Sequence, residues 1–189
     1  MTDEERLYER LLVLRSQTGD ERALTELIGL YSPRLRYYLR KMLPGRCGDD
    51  ASQAEDMLQE TWCDALRSLG SLRDAAAFPA WIYRIARDRA WRLLRKDRPT
   101  LPLLPEVDLP AAAEEPKFSA EDAAAVHAAL AELPAEQREV LVLRFLEGLT
   151  YEEIATITAA PLGTVRSRLF YGKESLRQLL AKDFCHDRP

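Results

Sequence analysis

Apolar residues recur at intervals of three and four along most of this chain, and no stretch sustains the alternation of a half-buried strand. A chain patterned this way can bury its apolar faces only helix against helix, so an all-α fold is expected. One long interruption breaks the pattern. Between Pro99 and Ser119 stand Pro99, Pro102, Pro105, Pro110 and Pro116, with acids and alanines among them, a composition that reads as an extended linker over residues 99–119. Two small helical domains are therefore expected, over residues 1–98 and 120–183. At about 3.1 Å per residue the linker reaches about 60 Å. Leu101, Leu103, Leu104, Val107 and Leu109 make it less soluble than a pure spacer, so it is expected to lie against another surface.

Helix starts are marked by Ser/Thr-x-x-Glu/Asp boxes at Ser52–Glu55, Ser119–Asp122 and Thr150–Glu153, where hydroxyl and carboxylate satisfy orphan amides reciprocally. Breaks are expected at Pro44-Gly45 and over the turn-rich stretch from Gly70 to Pro79, while Pro134 and Pro161 stand where helices should begin. The longest run free of charged residues is Ile154–Val165. It falls short of the roughly 20 apolar residues of a membrane-spanning helix. The acidic start Met1-Thr2-Asp3-Glu4-Glu5 has no secretory character, so a cytoplasmic protein is expected. Cys47, Cys63 and Cys185 form no CxxC pair, which argues against a disulfide framework or a structural zinc site. Cys185 and His186 alone cannot complete a metal site, and no cofactor is implied.

Net charge is −4, yet the charges alternate in blocks. Residues 49–74 carry a net −5 and residues 81–98 a net +5, the latter from Arg84, Arg87, Arg89, Arg92, Arg95, Lys96 and Arg98 against Asp88 and Asp97. Residues 99–139 return to −7, and residues 163–182 reach +4. Local field and counterion release decide binding to phosphates, so two basic blocks suggest two polyanion contacts.

The sharpest motif runs from Gly148-Leu149-Thr150-Tyr151-Glu152-Glu153-Ile154-Ala155, through a break at Ala159-Ala160-Pro161-Leu162-Gly163, to Thr164-Val165-Arg166-Ser167-Arg168-Leu169-Phe170. This spacing predicts a helix-turn-helix with Ile154, Ile157, Val165 and Leu169 inside, and with Ala155 and Ala159 small enough for close helix approach. Thr164, Arg166, Ser167, Arg168, Tyr171 and Lys173 are expected outside, where the second helix can enter a major groove. Arg168 could equally meet a phosphate or a neighbouring acid. A second helix, Trp81–Leu94, is expected to face inward with Ile82, Ile85, Ala86, Arg89 and Leu93, with Arg89 obliged to pair or snorkel. Arg84, Arg87, Trp91 and Arg95 align on another face. Cations interleaved with aromatics suit single-stranded nucleic acid, although Trp81, Tyr83 and Trp91 read equally well as core. A third helix, Ala54–Trp62, groups Asp56, Gln59, Glu60 and Cys63 on neighbouring turns. With no histidine nearby and no glycine-rich phosphate loop in the chain, this acidic face suits protein docking better than metal or acid/base chemistry. His127, in an alanine-rich stretch, reads as structural.

Taken together, Asp56–Trp62, Phe78–Arg87, Leu133-Pro134, Gly148–Ala155 and Gly163–Phe170 resemble the extracytoplasmic-function (ECF) sigma factors of bacteria, in order and in spacing. The resemblance covers about residues 22–98 and 122–181. It implies a non-enzymatic promoter-specificity subunit, with sigma region 2 in the first domain and region 4 in the second. It further implies that Asp56, Gln59 and Glu60 dock on the clamp coiled coil of the largest subunit of RNA polymerase core. Trp81, Arg84, Arg87, Asp88 and Trp91 would lie on the helix reading the minus-10 element, beside a Gly70–Phe78 loop that receives a flipped base. Thr164, Arg166, Ser167, Arg168, Tyr171 and Lys173 would read the minus-35 element while that domain leans on the flap tip of the second-largest subunit. The acidic linker would thread near the active-centre and RNA-exit channels. Promoter DNA and an anti-sigma factor are the other implied partners, with no small-molecule substrate and no membrane insertion. Trp62 replaces the usual Phe, Asp88 stands where Asn is common, and Tyr171 where a basic residue is frequent. With no domain after region 4, control by a fused module is not expected.

Two other readings compete. A stand-alone helix-turn-helix regulator would bind duplex DNA as a dimer, leaving the Trp/Arg helix unexplained. A sigma mimic that sequesters an anti-sigma factor would have no use for its DNA-facing arginines. An enzyme would need a nucleophile–base pair or metal cluster that the sequence does not offer.

Overall fold

The computed structural model describes residues 3–43, 50–95 and 123–186, and every regular element among them is helical. The expected linker, the Pro44-Gly45 break, Cys47 and the Ser119–Asp122 box lie outside the described residues. So do the side chains of Arg95, Cys185 and His186. The chain divides into two compact units.

In the first unit α1 (Asp3–Gln17) packs on α2 (Glu21–Met42), which meets both α3 (Asp50–Ser68) and α4 (Phe78–Arg95), themselves in contact. Gly19, at φ +90°, makes the turn between α1 and α2. Asp20 caps α2 through the amides of Arg22 (3.0 Å) and Ala23 (3.1 Å). Leu27, Tyr31, Leu35, Tyr38 and Leu39 of α2 are fully buried. Two edge-on aromatic pairs join α2 to α4: Tyr31 with Phe78 at 5.1 Å, and Tyr38 with Tyr83 at 5.5 Å. Such pairs contribute about 0.5–1.5 kcal/mol beyond their buried area. Pro33 stands inside α2 on its exposed side. Its usual cost to a helix, about 3 kcal/mol, is overridden by the continuous apolar stripe on the other side.

Ser52–Glu55 does not open α3, which is already helical at Asp50. Glu55 is taken up instead by Arg36 of α2, with Nε donating at 2.7 Å and Nη2 at 3.1 Å. The stretch expected as turns between Gly70 and Pro79 contains two single 3-10 turns, Leu69–Ser71 and Ala75–Ala77. Asp74 caps the second through the amide of Ala76 at 2.8 Å. Pro79 sits in the first turn of α4, where its missing N–H goes unneeded.

The second unit contains α5 (Ala123–Glu132), α6 (Ala135–Leu141), α7 (Tyr151–Thr158) as far as Ala155, and α8 (Leu162–His186). Pro134 is the N-cap of α6, and Pro161 precedes α8, its carbonyl accepting from Val165 N at 3.1 Å. α6 continues into a π-helical turn, Val142–Leu146. Both α5 and α6 pack on α8. Gly172 lets α6 approach α8 closely, since a Cβ there would lie 3.1 Å from Leu141 Cδ1. The Thr150–Glu153 box forms in full at the start of α7: Glu153 N donates to Thr150 Oγ1 at 3.2 Å, and Thr150 N to Glu153 Oε2 at 2.7 Å.

Candidate nucleic-acid and protein interfaces

On α3 the apolar period turns Leu58, Thr61, Trp62 and Ala65 inward and leaves Asp56, Gln59, Glu60 and Cys63 exposed. Trp62 is anchored by its indole N–H, which donates to Ser32 Oγ at 3.0 Å. The three expected docking residues therefore share one outward face. Arg89 of α4 reaches this face, and it pairs rather than snorkels. Nη1 donates to Glu60 Oε2 at 2.7 Å, Nε to Asp64 Oδ2 at 3.0 Å, and Nη2 also meets Asp64. The Arg89 hydrogen bond holds the Asp64 carboxyl below the usual carboxylate range.

α4 is rotated from the expected stripe. Phe78, Ile82, Tyr83, Ala86 and Ala90 are buried, whereas Ile85 and Leu93 are half-buried. The alternatives for the aromatics divide accordingly: Tyr83 belongs to the core, while Trp81 and Trp91 are only half-buried. Arg84 and Asp88 are exposed, and the Arg87 guanidinium lies 5.2 Å from the Trp91 ring centroid. The helical repeat puts Trp81, Arg84, Arg87, Asp88 and Trp91 on one side, opposite the core stripe. Cation and π-face thus stand together along the outer side of α4.

Sequence reasoning missed the support of the connection before α4. Gln17, at the end of α1, donates from Nε2 to the carbonyls of Leu69 (2.9 Å) and Leu72 (2.7 Å). The signal was faint: one amide, 52 and 55 residues away from its acceptors.

In the helix-turn-helix segment Ile154, Ile157, Val165 and Leu169 are buried as expected. Ala155 is half-buried, but Ala159 is exposed, and its contribution is conformational. At φ +51° it ends α7 in the left-handed region, with Ala160 N donating back to Ala155 O at 3.2 Å. Arg144 braces the approach to α7, its Nη1 donating to Leu149 O at 3.2 Å and its guanidinium lying 5.2 Å from the Tyr151 ring centroid.

The six residues expected outside on α8 do not form one surface. Ser167 is a correction: it is 1% exposed, and its hydroxyl donates to Thr164 O at 3.0 Å. That bond within the helix satisfies the hydroxyl and lets it be buried. Arg166 is exposed and Lys173 half-buried on one line of the helix, and between them lies Phe170, 40% exposed. Thr164, Arg168 and Tyr171, all half-buried, follow a second line at spacings of four and three. Phe170 was not among the expected surface residues. Its spacing of four from Arg166 could have identified it.

Among the described residues no three His, Cys, Asp or Glu side chains cluster as metal ligands, and no helix is long and apolar enough to cross a membrane.

Comparison with known proteins matches residues 27–100 to the family described as Sigma-70 region 2 and residues 123–176 to that described as Sigma-70, region 4. The chain is 35% identical over 189 aligned residues to the RNA polymerase sigma-H factor of Pseudomonas aeruginosa, covering 89% of this chain and 92% of that protein. It is 33% identical to the ECF RNA polymerase sigma-E factor of Escherichia coli K12, covering 91% and 94%. The fold is similar to that of CnrH solved in complex with the cytosolic domain of CnrY, with a TM-score of 0.69 at 23% identity, covering 93% of this chain and 99% of that one. It is also similar to the sigma factor RpoE of Bartonella quintana, solved in complex with the anti-sigma factor NepR. There the TM-score is 0.63 at 25% identity, covering 84% and 96%.

Proposed function

The chain belongs to the ECF sigma factors of the sigma-70 family, and from that membership we propose how its faces divide the work of promoter recognition. The protein binds RNA polymerase core, directs it to specific promoters and is held in check by an anti-sigma factor. It works in the cytoplasm without catalytic chemistry of its own. Residues 1–98 form the core-docking and minus-10 domain, 99–119 the linker, and 120–183 the minus-35 domain.

α3 docks on the clamp coiled coil of the largest subunit through Asp56, Gln59 and Glu60, an acidic face for a basic partner. The observation that supports the reading most strongly is the outer side of α4. Trp81 and Trp91 stand half-exposed there among Arg84, Arg87 and Asp88, opposite a fully buried stripe. Unstacked bases need π-faces and the backbone needs cations, and α4 supplies both on one side. The Leu69–Ala77 connection, tethered by Gln17, receives the flipped base, and the tether keeps the pocket formed before DNA arrives. On α8, Arg166 and Lys173 read the minus-35 element with Phe170, while Thr164, Arg168 and Tyr171 flank the contact. The second unit also leans on the flap tip of the second-largest subunit.

Transcription in vitro tests this reading. Purified core from the host is incubated with genomic promoter fragments, with and without the protein, and the 5′ ends are sequenced. New start sites that require the protein and share two upstream boxes are expected. Tight binding to duplex DNA without core, and no core-dependent initiation, would instead establish a stand-alone regulator.

A further inference from the structure

Arg89 stands where the two working helices of the first unit meet. Its side chain is 24% exposed, and the guanidinium gives two donors to Asp64 and one to Glu60, acids one turn apart on α3. The two acids are unequal. Asp64 is 33% exposed and Glu60 56% exposed, so Glu60 holds the guanidinium by the weaker and wetter contact. Beside the pair opens a groove of about 400 Å³ between α3 and α4, lined by Asp56, Met57 and Glu60 on one side and by Arg89, Arg92 and Leu93 on the other. Met57 and Leu93 offer apolar surface to the stem of a long basic side chain, and Asp56 and Glu60 offer carboxylates to its head. Arg89 and Arg92 oppose its entry by charge.

We propose that Arg89 holds Glu60 in place of the polymerase's cation, and that core docking transfers Glu60 from Arg89 to a lysine or arginine of the polymerase while Asp64 keeps Arg89 bound. Arg89 is then a positioning residue with two effects. It weakens docking by occupying one acid of the docking face, and through Asp64 it fixes α4, the minus-10 helix, against α3. The exchange keeps the number of ion pairs at Glu60 constant, so docking leaves no carboxylate stranded. This inference rests on the assignment of Glu60 to core docking.

The test measures affinity of the full-length chain for purified core polymerase, together with initiation from a duplex promoter at saturating protein. Wild type is compared with Arg89→Gln and Asp64→Asn, each checked for its unfolding temperature. Arg89→Gln is expected to bind core about two- to fivefold more tightly, the range of a partly exposed ion pair, and with steeper salt dependence. Asp64→Asn, which leaves Glu60 as the partner of Arg89, is expected to bind more weakly. Both should initiate less efficiently per bound complex, because α4 has lost its anchor. A purely architectural Arg89 would instead weaken docking in step with lost stability. Any pattern of signs in affinity other than the expected one, with wild type binding core, overturns the exchange alone. Folded wild-type protein that does not bind core overturns the sigma-factor reading, and the exchange with it.

Discussion

Ala159 occupies a backbone region that favours glycine, at φ +51°, and no side-chain contact is required of it at this exposed turn. Ala159→Gly should therefore raise the stability of the second unit by about 0.5–1 kcal/mol, the relief of left-handed strain less the added freedom of the unfolded chain. Thermal unfolding measures it, and a lowered midpoint would mean that the alanine side chain matters. Arg166 is exposed on α8, so Arg166→Ala should cost about 1–3 kcal/mol at a single minus-35 base pair. Affinity for a promoter series altered one pair at a time checks this, and uniform weakening would reassign the residue to phosphate contact. At this scale the sequence was legible where burial forced a choice. Arg89, half-buried beside α3, had either to pair or to snorkel, and it pairs with Asp64 and Glu60. Ser167 was not legible, because a serine can satisfy its hydroxyl on its own helix and disappear from the surface.

Among the elements, α7 depends on its first turn. Thr150→Ala removes the hydroxyl from the capping box and should lower the stability of the second unit by about 1 kcal/mol, read as a lower unfolding midpoint alongside weaker minus-35 binding. The connection before α4 depends on one amide. Gln17→Leu removes the side-chain donor shared by the Leu69 and Leu72 carbonyls and leaves Leu69 O with the Leu72 amide, so the amides of Leu72 and Ala77 should exchange with solvent about fivefold faster or more, on the scale of one lost hydrogen bond. Exchange unchanged at both amides would show that the 3-10 turns hold themselves. Periodicity and turn residues made the helices legible, down to Pro134 and Pro161 at the right starts. Rotation about the axis was less legible. The stripe of α4 turned out to centre on Tyr83 and Ala86 because aromatic pairing with α2 selects it, a long-range contact that local spacing does not encode. Period also predicted one outer surface on α8, yet polar residues occupy more than half of that helix's circumference and separate into two lines.

At the level of the whole molecule, the carboxyls found depressed among the described residues belong to the first unit. Asp20 is lowered chiefly by the Ala23 amide, Glu55 by Arg36 and Asp64 by Arg89. Groups whose folded values lie below their unfolded ones stabilise the fold fully above the unfolded range, near about pH 4. That stabilisation is lost as the pH falls through the folded values. The first unit should therefore lose stability as the pH falls below about 4, and Glu55→Gln should flatten that slope while leaving the second unit unchanged. Denaturant titrations at several pH values, followed unit by unit through assigned amide signals, would decide it. Equal slopes in wild type and variant would remove Glu55 from the account. The two-part organisation was legible from proline density and the alternating charge blocks, since both are local properties of composition. All three tryptophans, Trp62, Trp81 and Trp91, fall in the first unit, one anchored in the core and two at the outer side of α4. The molecule thus has a built-in optical reporter: under the proposed role of α4, stacking of bases on Trp81 and Trp91 would quench them and report DNA opening in real time without any attached dye, while events confined to the second unit stay dark.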